Sequence, residues 1–169
     1  RPGVGYLSVL HRMIRAGSAA EAAAVAEGAP RAGAHTYWAA DAGLQVEVEA
    51  APGFSVRRDA GVFGICRTNH CLDPRLVAVQ GEPPHVSSAA RFRRVTGWLR
   101  AEGPHSVASV QAIFSDRRDG LDSVNRYPED GDYASTNAVF VAVPAQRRAW
   151  ACRGPADRGR WVALGFESK

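Results

Sequence analysis

The chain has 169 residues, a length that suits one hydrophobic core. A hydrophobic share of 46% excludes a disordered or fibrous class, and no apolar run approaches the roughly 20 residues a membrane span needs, so no membrane partner is expected. The formal charge of +4 comes almost wholly from arginine, with Lys169 the one lysine, and the arginines are scattered; the densest cluster (Arg91, Arg93, Arg94, Arg100) sits on one expected helix, so no nucleic-acid partner is expected.

Residues 4–16 place Val4, Leu7, Leu10, Met13 and Ile14 at helical spacing, ended by Gly17. Ser18 opens a capping box with Glu21, ahead of an alanine-rich run that Gly28 and Pro30 stop. A helical hairpin is expected. Four strands then follow, over 35–41, 44–50, 54–59 and 62–69, with turns at 41–43 and 52–53. The second alternates strictly: Leu44, Val46 and Val48 on one face, Gln45, Glu47 and Glu49 on the other. That predicts an antiparallel meander with one packed face and one wetter face. After a polar stretch over 73–85, Ser87 or Ser88 caps a helix running to about Glu102, with Phe92, Val95, Trp98 and Leu99 on its apolar stripe. Gly103 and Pro104 break it. A short helix from Ser106 to about Phe114, a loop over 115–133, and strands over 135–143, 147–153 and 160–166 complete the chain. Runs of helix and strand without a βαβ rhythm predict an α+β fold, helices layered on antiparallel sheet. A chain that opens on Arg1 rather than Met, with no charged-then-apolar leader, is expected to be a fragment or a processed product.

The cysteines are Cys66, Cys71 and Cys152, an odd and small number that points to reduced thiols and a cytoplasmic location. Cys66, His70 and Cys71 offer three soft or borderline ligands where a structural zinc takes four, and neighbours 70 and 71 point apart in an extended chain, so no metal is expected. A Cys–His nucleophile pair would need distant residues that no motif selects. Cys152, on an alternating strand, reads as a buried inert thiol. Asn69 has two readings. Its carboxamide NH2 can aim a donor at a developing oxyanion, or it can close a turn.

"TNHCL" at 68–72 is similar to the HTNH-hydrophobic motif of the isopenicillin N acyltransferase family of N-terminal nucleophile hydrolases. "RPGV" at 1–4, Arg15 to Ser18 with Glu21-Ala22, "ADA" at 40–42 with "VEAAP" at 48–52, the helix over 87–99, "SVNR" at 123–126 and the strand pair over 134–148 resemble further family segments, in order. Val143 stands where that strand-pair pattern has Asp. The resemblance implies a four-layer αββα sandwich. It also implies autocleavage before a cysteine that becomes the nucleophile, its own α-amine taking the thiol proton, and transfer or hydrolysis of acyl groups. By it, Asn69 is the catalytic oxyanion donor, Thr68 and His70 shape its loop and the substrate site, and Arg126 is a substrate-side cation or, alternatively, the partner of Glu129 or Asp130. Glu49 matches a family strand position, where structural pairing is expected instead of catalysis. No cofactor is implied beyond acyl-coenzyme A as a candidate co-substrate.

The match departs from the family in two places. No Gly-Cys junction occurs in the chain, so residues 1–169 are expected to be one domain portion, the C-terminal part of the catalytic subunit, inactive alone and partnered by an upstream segment of the same precursor that carries the nucleophile, with a small-molecule substrate. Where the family often has Ser-Arg, this chain reads Asp132-Tyr133, which cannot grip an acidic group bidentately; a specificity unlike that for penicillins is expected. The rival expectation is a catalytically inactive relative that binds a small molecule or a protein.

Overall fold

In the computed structural model, which describes residues 2–101, 103–131 and 134–166, the chain divides into two units. One comprises Arg1–Ile65 and Cys71–Pro83; the other comprises Cys66–His70 and Pro84–Lys169. Arg1 of the first family-like segment, the expected helix end at Glu102, the Asp132-Tyr133 departure and Lys169 lie outside the described residues. Each unit combines helices with an antiparallel three-stranded sheet, as the α+β expectation required.

The first unit begins with helices α1 (Tyr6–Met13) and α2 (Ala19–Gly28). Ser18 caps α2 by accepting from the Glu21 amide at 3.2 Å, while the Glu21 carboxylate reaches back to the Gly17 amide. Alanine has the highest helix propensity and the smallest side chain. Ala19, Ala22, Ala23 and Ala26 therefore form a low ridge that lets the sheet approach closely, and all four are buried. The sheet is β1 (His35–Ala40), β2 (Gln45–Ala51) and β3 (Phe54–Asp59), in that order. Tyr37 lies opposite Val48 and Ala39 opposite Val46, so one face meets the helices. The α1 stripe is rotated from expectation. Val9 and Met13 are buried, whereas Leu7 and Ile14 are 64% and 77% exposed.

The face of β2 expected to be wet is buried as well: Glu47 and Glu49 are 0% and 2% exposed. Arg58, paired with Glu47 across the ladder, reaches both carboxylates at 2.6 Å. Glu49 also accepts from the amides of Leu72 at 2.8 Å and Asp73 at 3.2 Å, at the start of the short α3 (Pro74–Val77), which anchors through buried Leu76. Burial pushes the Glu47 carboxyl above its usual range against the pull of Arg58. Arg31, itself buried, closes the C-terminal end of α2 by donating to the carbonyls of Ala26 and Glu27 and to those of Ala51 and Phe54 in the β2–β3 hairpin.

The strand expected over 62–69 does not form. Gly64 (φ 73°) turns the backbone back on Gly61, and Val62 and Phe63 project outward, 98% and 64% exposed. With no face to bury, alternation has nothing to act on.

The second unit holds α4 (Val86–Ala101), α5 (Val107–Phe114) and a sheet of β4 (Ala138–Val143), β5 (Arg148–Arg153) and β6 (Trp161–Leu164). Ser87 and Ser88 do not cap α4. They are buried inside its first turn, and His85 Nδ1 accepts from the Ser87 amide instead. Ser106 caps α5 with a reciprocal Ser109 bond, as expected. Val139, Val141 and Ala156 form the core with Val107, Val110, Trp150 and Trp161 around them. Cys152 is buried with Gly159 pressed against it. A Cβ at 159 would fall 2.3 Å from the Cys152 sulfur, so no larger residue fits there.

The segment over 115–131 is shaped by polar contacts. Buried Asn125 donates to Asp157 at 2.7 Å and accepts from the Ala156 amide at 3.1 Å. The Tyr127 ring lies between the guanidiniums of Arg117 and Arg158. Arg117 hydrogen-bonds Asp130 and, with the Tyr127 amide, holds its carboxyl down to about 2.

Two outcomes are expected. Arg58→Met removes the guanidinium that two buried carboxylates share and lowers unfolding free energy by about 3 kcal/mol in urea titration, the low end for a broken buried pair because Arg58 is itself partly solvated. Asp130 has a folded pKa below its unfolded value of about 3.9, so it stabilises above that pH and loses the contribution as pH falls toward the folded value. Asp130→Asn therefore lowers Tm at about pH 6, and its gap from the unsubstituted protein closes between about pH 4 and pH 2.

Candidate active site

Thr68, Asn69 and His70 lie in the stretch Cys66–His70, which belongs to the second unit although the chain on both sides of that stretch belongs to the first. No sheet holds it. The first turn of α4 does. Thr68 Oγ1 donates to the Ser88 carbonyl at 2.9 Å, and the Asn69 amide donates to Ser88 Oγ at 2.8 Å. The same hydroxyl lies 2.8 Å from His70 Nδ1 and 3.2 Å from Thr68 Oγ1. His70 also meets the Phe92 ring edge-on, and Arg67 Nη1 donates to the His70 carbonyl at 3.0 Å.

Next along the same helix face, Arg91 Nη2 donates to Asn69 Oδ1 at 2.8 Å. A guanidinium only donates, which settles which end of the carboxamide faces it. Nδ2, with its two hydrogens, is the end left to serve a ligand.

Asn69 stands on the wall of a cavity of about 460 Å³ within this unit. That size falls in the range of small-molecule sites. Cys66, Arg67 and Thr68 share its wall with Arg91 and Val95 of α4, Phe114 at the end of α5, Arg126, and the run from Ala134 into β4. Arg67, Arg91 and Arg126 bring three arginine side chains to the lining. Arg126 is brought there by a two-way clasp: its amide donates to Thr136 Oγ1 and its carbonyl accepts from the Thr136 amide, both at 2.9 Å. Of the alternative partners suggested for it, Glu129 pairs with Arg158 and Asp130 with Arg117, and the charge of Arg126 also helps to lower the Asp130 carboxyl.

Of the residues singled out from sequence, Thr68, Asn69 and Arg126 thus share one cavity. His70 is not on its wall; it supports the loop from beneath through Ser88 and Phe92. Glu49 lies in the first unit, as the structural pairing expected of it. Sequence reading missed Arg67, Ser88 and Arg91. The three-residue spacing of Ser88 and Arg91 was a signal, but only the fold shows what lies opposite them. Cys66, one of the expected reduced thiols, also lines the cavity.

The other thiols are poorly suited to attack. Burial and the Glu49 carboxylate push the Cys71 thiol up, and Cys152 is 1% exposed. Among the described residues no group of three or more His, Cys, Asp or Glu is placed to hold a metal ion. No helix among them is long and apolar enough to cross a membrane.

No curated protein matches the chain significantly. A family model described as acyl-coenzyme A:6-aminopenicillanic acid acyl-transferase matches residues 7–158. The ordered sequence segments and this match over most of the length agree: the chain belongs to the acyl-coenzyme A:6-aminopenicillanic acid acyl-transferase family.

Proposed function

We propose that this cavity is part of the active site of a cysteine acyltransferase or amidohydrolase, in which Asn69 is the oxyanion donor. The observation that carries the reading is the state of the Asn69 carboxamide: its oxygen is committed to Arg91, and its NH2 end is left for a ligand at a cavity wall.

None of the three cysteines here follows a glycine, and two of them are unfit to attack. The nucleophile is therefore assigned to the amino-terminal cysteine of an upstream segment of the same precursor, freed by autocleavage. Residues 1–169 are then the C-terminal part of the catalytic subunit of an αββα enzyme. The α-amine of that cysteine titrates near pH ~8 and takes the thiol proton at neutral pH. The thiolate attacks the carbonyl carbon of a thioester or amide. The C=O π electrons move to oxygen, and Asn69 Nδ2–H donates to the oxyanion. Collapse expels a thiol or an amine, which receives the proton from the α-amine, and an acyl-thioester remains on the enzyme. An acceptor amine or water then resolves it through a second tetrahedral intermediate at the same donor.

Thr68 borders the substrate. His70 holds the loop that carries Asn69. The arginines at 67, 91 and 126 on the cavity wall suit a substrate bearing an anionic group, and acyl-coenzyme A, rich in phosphate, is the candidate donor. It serves as co-substrate and no resident cofactor is needed.

Intact-mass spectrometry of the protein from its complete reading frame is the test. Two fragments are expected, the larger beginning with cysteine and including this sequence. Asn69→Ala should lower kcat for acyl-coenzyme A thioesters by about 100- to 1,000-fold. Cys66→Ala should leave at least half of the turnover. One uncleaved, inactive chain would favour the rival, a binding module without catalysis, and loss of turnover in Cys66→Ala would move the nucleophile into this chain.

A further inference from the structure

We infer that Arg91 is the positioning residue that gives Asn69 its direction, with Ser88 fixing the backbone beneath it; this rests on the reading of Asn69 as oxyanion donor. An asparagine carboxamide has two ends of nearly equal size. Rotated by half a turn about χ2, Asn69 would face a developing oxyanion with carbonyl lone pairs instead of hydrogens, replacing attraction by repulsion. That torsion is broad and two-fold in its preferences, so the side chain does not choose an end by itself. Asn69 is also exposed, so packing cannot choose for it.

Arg91 chooses. Its Nη2 can only donate, and at 2.8 Å it selects Oδ1. The guanidinium is itself held in place. Its Nε donates to the Ser87 carbonyl at 3.2 Å and lies 3.3 Å from Ser87 Oγ, one turn back on α4, and Ser87 is buried. The backbone of Asn69 is tied separately, by Ser88 Oγ at 2.8 Å. Ser88 and Arg91 are three residues apart and so lie on one helix face, where they hold the two ends of a single residue. Arg91 also drains electron density from Oδ1, which strengthens the donor hydrogens on Nδ2, and places a positive charge on the wall where the oxyanion forms. A rigid helix thus aims a donor carried by an irregular segment.

A double-substitution cycle in the protein from the complete reading frame tests this, with thiol release from acetyl-, hexanoyl- and phenylacetyl-coenzyme A as the probe. Arg91→Met should lower kcat about 10-fold or more while KM stays within about twofold, since the loss falls on the transition state. Arg91→Lys, which keeps a donor, should recover part of it. Adding Arg91→Met to Asn69→Ala should change kcat by less than about twofold, because Arg91 acts through Asn69. Full multiplication of the two losses would overturn the inference while leaving the oxyanion role of Asn69 intact. A rise in KM alone would overturn it as well, and make Arg91 a substrate-binding residue. An unchanged kcat in Asn69→Ala would overturn the underlying reading and this one together.

Nuclear magnetic resonance of the Asn69 side-chain amide gives a readout that needs no substrate. Its order parameter should fall from about 0.85 toward 0.6 or below in Arg91→Met. An unchanged order parameter would count against Arg91. If Arg91→Met does not fold by circular dichroism, Arg91→Lys carries both measurements with the same signs and smaller effects.

Discussion

One buried hydroxyl organises the candidate site. Ser88 Oγ accepts the Asn69 amide and lies within hydrogen-bond reach of His70 and Thr68, so three consecutive residues of an irregular segment share one anchor. Ser88 is 1% exposed, and a hydroxyl that far from water must find its partners inside the protein. The segment needs the helix because it has no ladder of its own, and the helix needs the segment to satisfy its buried serine. Asn69 can then stand on a cavity wall, exposed to a ligand, without being loose.

The same economy of polar pairing runs through both units. In the first, two glutamates on the middle strand are buried because Arg58 crosses the ladder to them and the backbone after Cys71 supplies two amides. In the second, Asn125 and Asp157 join two irregular segments that no strand connects. Arginine is central to both. Arg31, Arg58, Arg94 and Arg117 each close on a carbonyl or a carboxylate within their own unit. Much of the basic composition here serves internal pairing at strand and helix ends.

Where arginines do converge, at the cavity holding Asn69, they do so beside small and apolar side chains. Membership of an acyl-transferase family and a fixed carboxamide on that wall point in one direction. A donor aimed before the substrate arrives needs little reorganisation as charge develops, which is the physical basis of oxyanion stabilisation.

Much of this was readable in the residues themselves. The helical hairpin, the meander over 35–59, the Ser106 cap and the three closing strands follow from local rules of spacing, capping and turn chemistry. So does the TNH segment that led to the family. What the sequence could not determine was set by contacts between distant residues. Alternation in the second strand marked two faces, but only Arg58 and the chain after Cys71 made the polar face a buried one. The apolar run at 62–63 resembled a strand, but strand formation needs a partner and a surface to cover, and Gly64 turns the chain away from both. Asn69 was visible as a candidate from its neighbours in sequence. Its orientation was not, because that depends on Arg91, 22 positions away, whose reach is decided by where one helix lies against one loop.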